Sequence, residues 1–172
     1  MMMSCRRRRA AAYCATDSMS EQFFPRDEYF MRLALREAER ALAHEDVPIG
    51  VVVVRNADVI AAAHNERELR GDPTAHAEII ALREAARVLG SWRVLGATVY
   101  VTLEPCAMCA GALVLARVSR IVFGAPDPKA GACGSVLDVL SEPRLNHRPE
   151  VARGLLAGQS GELLSGFFAS RR

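Results

Sequence analysis

Residues 97–109 read A-T-V-Y-V-T-L-E-P-C-A-M-C. The first seven are rich in β-branched and aromatic residues, the composition of a strand. Glu104-Pro105 follows at once and marks a helix start, since proline is tolerated in a first helical turn. That helix is expected to run to about Ala116, and R-I-V-F-G at 120–124 supplies the next strand. A strand leading straight into a helix and back to a strand is a parallel crossover.

The flanking sequence extends this pattern. Two β-rich runs, 49–55 and 59–63, are joined by N-A-D at 56–58 and read as a hairpin. Asp72-Pro73 offers an N-cap and a first-turn proline, which predicts a helix over about 73–89. Before the hairpin, Phe30, Leu33, Ala34, Ala38, Ala41 and Leu42 recur at helical spacing. After the last strand, residues 124–134 form a glycine- and proline-rich loop without the Walker-type phosphate pattern. From about Gly158, Leu163, Leu164, Phe167 and Phe168 share one helical face. The expected class is α/β: a mixed sheet with a leading β-hairpin and parallel strands, covered by helices. There is no internal repeat and no interdomain linker.

At 172 residues, with 51% hydrophobic and 24% charged, the composition is that of one globular domain. The longest apolar run, 49–54, falls far short of the roughly 20 residues that span a bilayer. The net charge is +2, but residues 1–18 hold four arginines and one aspartate, a local +3 that leaves −1 on the rest. Bulk charge therefore gives no argument for nucleic acid; only a local patch could bind it. Five cysteines without a secretory signal argue against a disulfide framework. Residues 1–18 are expected to be a disordered extension, with Met19 as an alternative start and 19–172 as the single domain.

The chemistry concentrates at two helix starts. In D-P-T-A-H-A-E-I-I at 72–80, His76 and Glu78 stand two apart, about 200° around a regular helix, so one face cannot hold both. At a first turn no preceding turn blocks either side chain, and both can reach one cavity from different sides. Cys106 and Cys109 are three apart at the second helix start, so both project from one face. The helix dipole favours thiolate there, and two thiolates so spaced make a zinc clamp. Singly, each feature is ordinary: C-x-x-C is also redox spacing, histidines usually pack or solvate, and a first-turn glutamate complements the dipole. Together they lie where ligands bind open α/β sheets, at strand ends facing helix starts. Three ligands leave a zinc position for water, whereas a structural zinc takes a fourth protein ligand. Cys133 is the candidate for that fourth place, set against its reading as a small buried filler. With three ligands, zinc lowers the pKa of bound water to about 7, and a neighbouring carboxylate can move the protons.

H-A-E followed by P-C-A-M-C is the signature of the zinc base deaminases. V-P-I-G at 47–50, H-N-E at 64–66, V-T-L-E-P-C-A-M-C-A-G-A at 101–112, V-F-G-A at 122–125 and N-H-R at 146–148 accompany it. Over 19–172 the chain resembles the bacterial tRNA-specific adenosine deaminases, the TadA family. The resemblance implies a three-layer α/β/α cytidine-deaminase-like fold and one Zn²⁺ per subunit, bound by His76, Cys106 and Cys109. It implies hydrolytic conversion of adenosine to inosine, with zinc-bound hydroxide attacking C6 and Glu78 as proton shuttle. It assigns Asn65 and the backbone N–H of Ala77 to the flipped base, Asp127 to the ribose, and the paired aromatics to the anticodon loop; this holds together with the helix-core reading of their stripe if Phe167 packs inward and Phe168 faces RNA. The implied substrate is the wobble adenosine of an arginine tRNA, presented on its anticodon stem-loop to a cytoplasmic homodimer with no membrane association. One departure is Ala169, where relatives often carry a basic residue after the paired aromatics; this bears on RNA affinity. Two other functions fit parts of the pattern. One is a deaminase of free cytidine, deoxycytidylate or guanine. The other is a non-catalytic zinc-stabilised RNA-binding module, which would need neither Glu78 nor an open metal position.

Overall fold

The computed structural model describes residues 22–171. The expected extension over 1–18 and the choice of Met19 as first residue lie outside the described residues. Helix α1 (Asp27–Ala41) leads into a hairpin of β1 (Gly50–Arg55) and β2 (Asp58–His64). The short helix α2 (Arg67–Arg70) and then α3 (Ala77–Leu89) follow, with β3 (Ala97–Leu103), α4 (Ala107–Leu115) and β4 (Arg120–Ala125) completing the crossovers. The chain ends on β5 (Glu150–Arg153) and α5 (Ala157–Ala169).

The strands form one sheet in the order β2-β1-β3-β4-β5. β1 is antiparallel to both neighbours, while β3, β4 and β5 run parallel. β2 and β3 therefore point the same way, with β1 between them. α3 and α4 then start on the edge of the sheet where β2, β3 and β4 end. The three-layer arrangement follows from alternation along the strands. Val51, Val53, Val99, Val101, Ile121 and Phe123 pack into one core with Leu82, Leu113 and Val114 of α3 and α4. Val52, Val54, Tyr100 and Val122 face the other way, onto Phe30, Met31 and Ala34 of α1. Such strands, buried on both faces, read as continuous apolar runs. Gly50 lets α1 approach: a Cβ there would lie 2.0 Å from the Ala34 carbonyl oxygen.

One buried ion cluster braces the α1 face. Arg120 of β4 makes paired bonds to Asp27 (2.9 and 2.8 Å), and the Tyr100 hydroxyl donates to the same carboxylate at 2.7 Å. Burial works against ionisation of Asp27, but the Arg120, Phe24 N–H and Tyr100 bonds outweigh it and hold the carboxyl below its usual range.

Two local expectations are corrected. The helix predicted to open at about 73 begins at Ala77, because residues 72–75 form a turn closed by the Ala75 N–H on the Asp72 carbonyl. Asp72 Oδ1 accepts from both the N–H and the hydroxyl of Thr74 (each 2.7 Å), so Asp72 caps this turn and not the helix. β5 had no sequence signal: of its four residues E-V-A-R only Ala152 is buried. Among the described residues, no helix is long and apolar enough to cross a membrane.

Candidate active site

His76 and Cys106 are the residues immediately before α3 and α4, and both have extended backbone (ψ 148° and 174°). His76 thus lies outside the helix that carries Glu78, and the 200° restriction does not apply to the pair. His76 Nδ1 stands 3.8 Å from Cys106 Sγ and 3.5 Å from Cys109 Sγ. All three donor atoms fall within 4.8 Å of one another. Zinc bonds of ordinary length at tetrahedral angles would put nitrogen and sulfur about 3.6 Å apart, so the three residues fit that ion. Among the described residues this is the one convergent group of metal-ligating side chains, and Cys133 is not part of it. Cys133 is buried, with its thiol directed at the Pro105 carbonyl and pushed up to about 12 by burial.

The charges reinforce the fit. Hydrogen bonds from the Cys109 thiol and then His76 bring Cys106 down to about 3, while Cys106 and burial push Cys109 far up. A divalent cation between the two sulfurs would let both be thiolates. Glu78 lies at the bottom of the site, 4% exposed, and its Oε2 has no hydrogen-bond partner. Burial raises its pKa above the usual carboxylate range. A buried carboxylate oxygen without a partner costs stability.

Above His76 opens a cavity of about 500 Å³. Asn65, Arg67, His76, Asp127, Lys129 and Phe168 stand in its wall among apolar residues. Asn65 Oδ1 accepts the Ala77 N–H at 2.9 Å, which fixes the amide and leaves its Nδ2 end as donor. The Ala77 N–H, expected on the base, is therefore engaged by Asn65. Asp127 Oδ1 accepts from the Lys129 and Ala130 N–H groups (2.9 and 3.2 Å) and so shapes its own loop. Phe167 is buried and Phe168 half-exposed, their rings edge to face at 5.3 Å. Arg144, His147, Arg148, Arg153 and Arg171 do not line the cavity.

Sequence reasoning missed Arg67, Lys129 and Glu104. Arg67 is anchored by Asp46, whose side chain is fully buried (3.1 Å). Lys129, the chain's only lysine, was a signal that could have been used. In sequence Glu104 reads only as a helix-start residue, yet it is buried and bonded to the loop that carries Asp127.

A family model described as MafB19-like deaminase matches residues 25–172. The tRNA-specific adenosine deaminase of Bacillus subtilis (strain 168) is 51% identical over 146 residues, covering 85% of this chain and 91% of the relative. The chain belongs to the bacterial tRNA-specific adenosine deaminase family. The enzyme of that name from Aquifex aeolicus (strain VF5) is 47% identical over 145 residues, covering 84% of this chain and 95% of the relative. A solved structure from work on A-to-I editing by tRNA:A34 deaminases at the wobble position superposes with a TM-score of 0.77 at 47% identity. It covers 79% of this chain and 99% of the other. This deaminase thus has the cytidine-deaminase-like architecture expected from its sequence.

Proposed function

We propose that the chain hydrolytically deaminates adenosine to inosine at the wobble position of an arginine tRNA, with one zinc ion per subunit. The observation that carries this is the convergence of His76, Cys106 and Cys109 beside the buried carboxylate of Glu78, whose Oε2 has no partner, at a cavity of about 500 Å³. Zinc held by those three residues would supply an acidified water near neutral pH. Glu78 takes a proton from the attacking water, delivers it to N1 of the adenine, and then assists departure of ammonia from C6. Its burial keeps the carboxylate basic enough to accept that proton. Asn65, held by the Ala77 N–H, presents its amide NH₂ to an acceptor on the flipped base. Direct contact between Ala77 and the base would require Asn65 to release that bond. Asp127 takes the ribose side of the cavity, and Phe168 offers a stacking surface for an anticodon base. Arg67 and Lys129 supply positive charge for phosphates on the cavity wall.

The assembly proposed is a homodimer through the exposed face of α3 and α4. Leu82 and Ala86 line a shallow apolar groove there, with Trp92 and Leu115 at 58% and 68% exposure. A patch of that kind on a folded domain marks an interaction surface, and sedimentation would read the dimer. A tRNA substrate implies a cytoplasmic location.

The deciding experiment is incubation of zinc-loaded protein with an arginine-tRNA anticodon stem-loop bearing adenosine at the wobble position, followed by nucleoside analysis. Free adenosine, cytidine and guanine are tested in parallel. Inosine from the stem-loop alone is the expected result. Turnover of a free base or nucleoside with none on RNA would overturn the substrate. Bound zinc without any turnover would replace the enzyme with an RNA-binding scaffold.

A further inference from the structure

Glu104 has no role in the chemistry above, yet its buried carboxylate accepts four hydrogen bonds. Oε1 receives the N–H groups of Cys133 (2.9 Å) and Ser135 (3.0 Å). Oε2 receives the Asp127 N–H (3.0 Å) and the Ser135 hydroxyl. These donors come from both ends of loop 126–135, which carries Asp127 and Lys129 into the cavity wall. The loop also passes close over the carboxylate. A Cβ on Gly131 would lie 2.4 Å from Glu104 Cδ, so only glycine fits. Glu104 stands two residues before Cys106, and the same loop is tied to that segment by the Ala132 N–H to the Pro105 carbonyl (2.8 Å).

We propose that Glu104 is a positioning residue: its carboxylate fixes the cavity-wall loop, and with it Asp127 and Lys129, relative to the metal-ligating start of α4. The role depends on an acceptor-only group. A carboxylate has about four lone-pair sites, whereas a glutamine offers one oxygen and turns an NH₂ group towards donors. Glu104→Gln therefore leaves some of the four donors unpaired and frees the loop without removing volume. The backbone of His76 and Cys106 is also held by the first turns of α3 and α4, through the Ile80 and Ala110 N–H groups, bonds in which Glu104 takes no part, so the zinc ligands stay in place. The loop faces the part of the substrate that does not react, and loss of such uniform binding appears in KM.

This inference rests on the proposed deaminase reading, and its test separates the two. Full-length, zinc-loaded wild type, Glu104→Gln and Ser135→Ala are compared by zinc content, amide hydrogen exchange and steady-state kinetics on the stem-loop. In Glu104→Gln, zinc content stays at the wild-type value and amides of 126–135 exchange faster, with those of β1 and α3 unchanged. KM rises about 10- to 100-fold, the scale of ångström misplacement, with kcat nearly constant. Ser135→Ala, which removes one of the four hydrogen bonds, gives a smaller change of the same kind. If Glu104→Gln does not fold, Ser135→Ala decides on the same readouts. Faster loop exchange with unchanged KM would overturn the positioning role, as would faster exchange throughout the chain. Loss of zinc with a fall in kcat at constant KM would move Glu104 to the metal end. A wild type inert on the stem-loop overturns the functional reading, and the exchange contrast still decides whether Glu104 holds the loop.

Discussion

Replacing Glu78 should move activity and stability in opposite directions. Glu78→Gln keeps the side-chain volume and removes the base, so turnover on the stem-loop should fall by about 10²- to 10⁴-fold, the ordinary worth of general acid–base help. Zinc content should not change, because Glu78 is outside the convergent donor group. Glu78→Leu tests the other half in chelator-treated protein. The Oε2 atom is buried without a partner, and an unsatisfied buried polar atom costs about 1–3 kcal/mol. The leucine variant should gain that amount, or about 2–12 °C in Tm for a domain of this size. The gain has a definite pH dependence. Because burial raises the folded pKa of Glu78, its cost is smallest below the unfolded value of about 4.3. The cost then grows as pH rises towards the folded pKa, and the advantage of leucine grows with it. Urea melts across pH 4–8, beside nucleoside analysis, read both effects. Turnover within tenfold of wild type would refute the shuttle. A leucine variant less stable than wild type at pH 7 would refute the orphaned carboxylate.

Cys109→Ser should lose zinc and turnover together while leaving the fold intact, as metal analysis and circular dichroism would show. Arg120→Met breaks a buried ion cluster and strands Asp27, so urea unfolding should show a loss of about 3–5 kcal/mol. The sign with pH is set by the lowered pKa of Asp27. The contribution of the pair is complete above the unfolded aspartate value of about 3.9 and fades as pH falls through the folded one, so wild type and Asp27→Asn should converge in acid. Phe168→Ala should raise KM on the stem-loop by about 5- to 150-fold, the range of one base–aromatic stack. Its stability should barely change, since the ring is half-exposed.

The parts of the fold legible from sequence were those where one residue type repeats with a clear period. The valines of β1 and the β-branched and aromatic residues of 97–103 announce buried strands, and the apolar stripe of α1 announces a helix. β5 has no such pattern, because an edge strand of four residues with one buried side chain leaves almost no hydrophobic record. The start of α3 was misplaced for a different reason. Asp-Pro is as good a turn as a helix cap, and the choice was made by Thr74 bonding to Asp72, which propensity does not weigh. In the site, the metal-ligating residues stand out because histidine and paired cysteines are rare and chemically distinctive. Glu104 is hidden, since one glutamate looks like another until the donors of a loop 23–31 residues away are seen to converge on it.

The two-residue spacing of His76 and Glu78 shows how the site is constructed. Each half of it takes one group from an extended residue just outside a helix and a second from the first turn inside: His76 with Glu78, Cys106 with Cys109. An N-cap side chain is not constrained by helical geometry, whereas a first-turn side chain is held by it. The distance from His76 to Glu78 is thus set by a single backbone segment of three residues, whose first N–H inside the helix, that of Ala77, is fastened by Asn65. The cavity wall that carries Asp127 and Lys129 lies instead on loop 126–135, joined to the cysteine segment through Glu104 and the Pro105 carbonyl. Glu78 and the cavity wall therefore rest on different segments, and the wall reaches the sheet through the segment that carries Cys106. A change in the wall's side chains should therefore alter which substrate is held while leaving the backbone that sets the distance from His76 to Glu78 as it is.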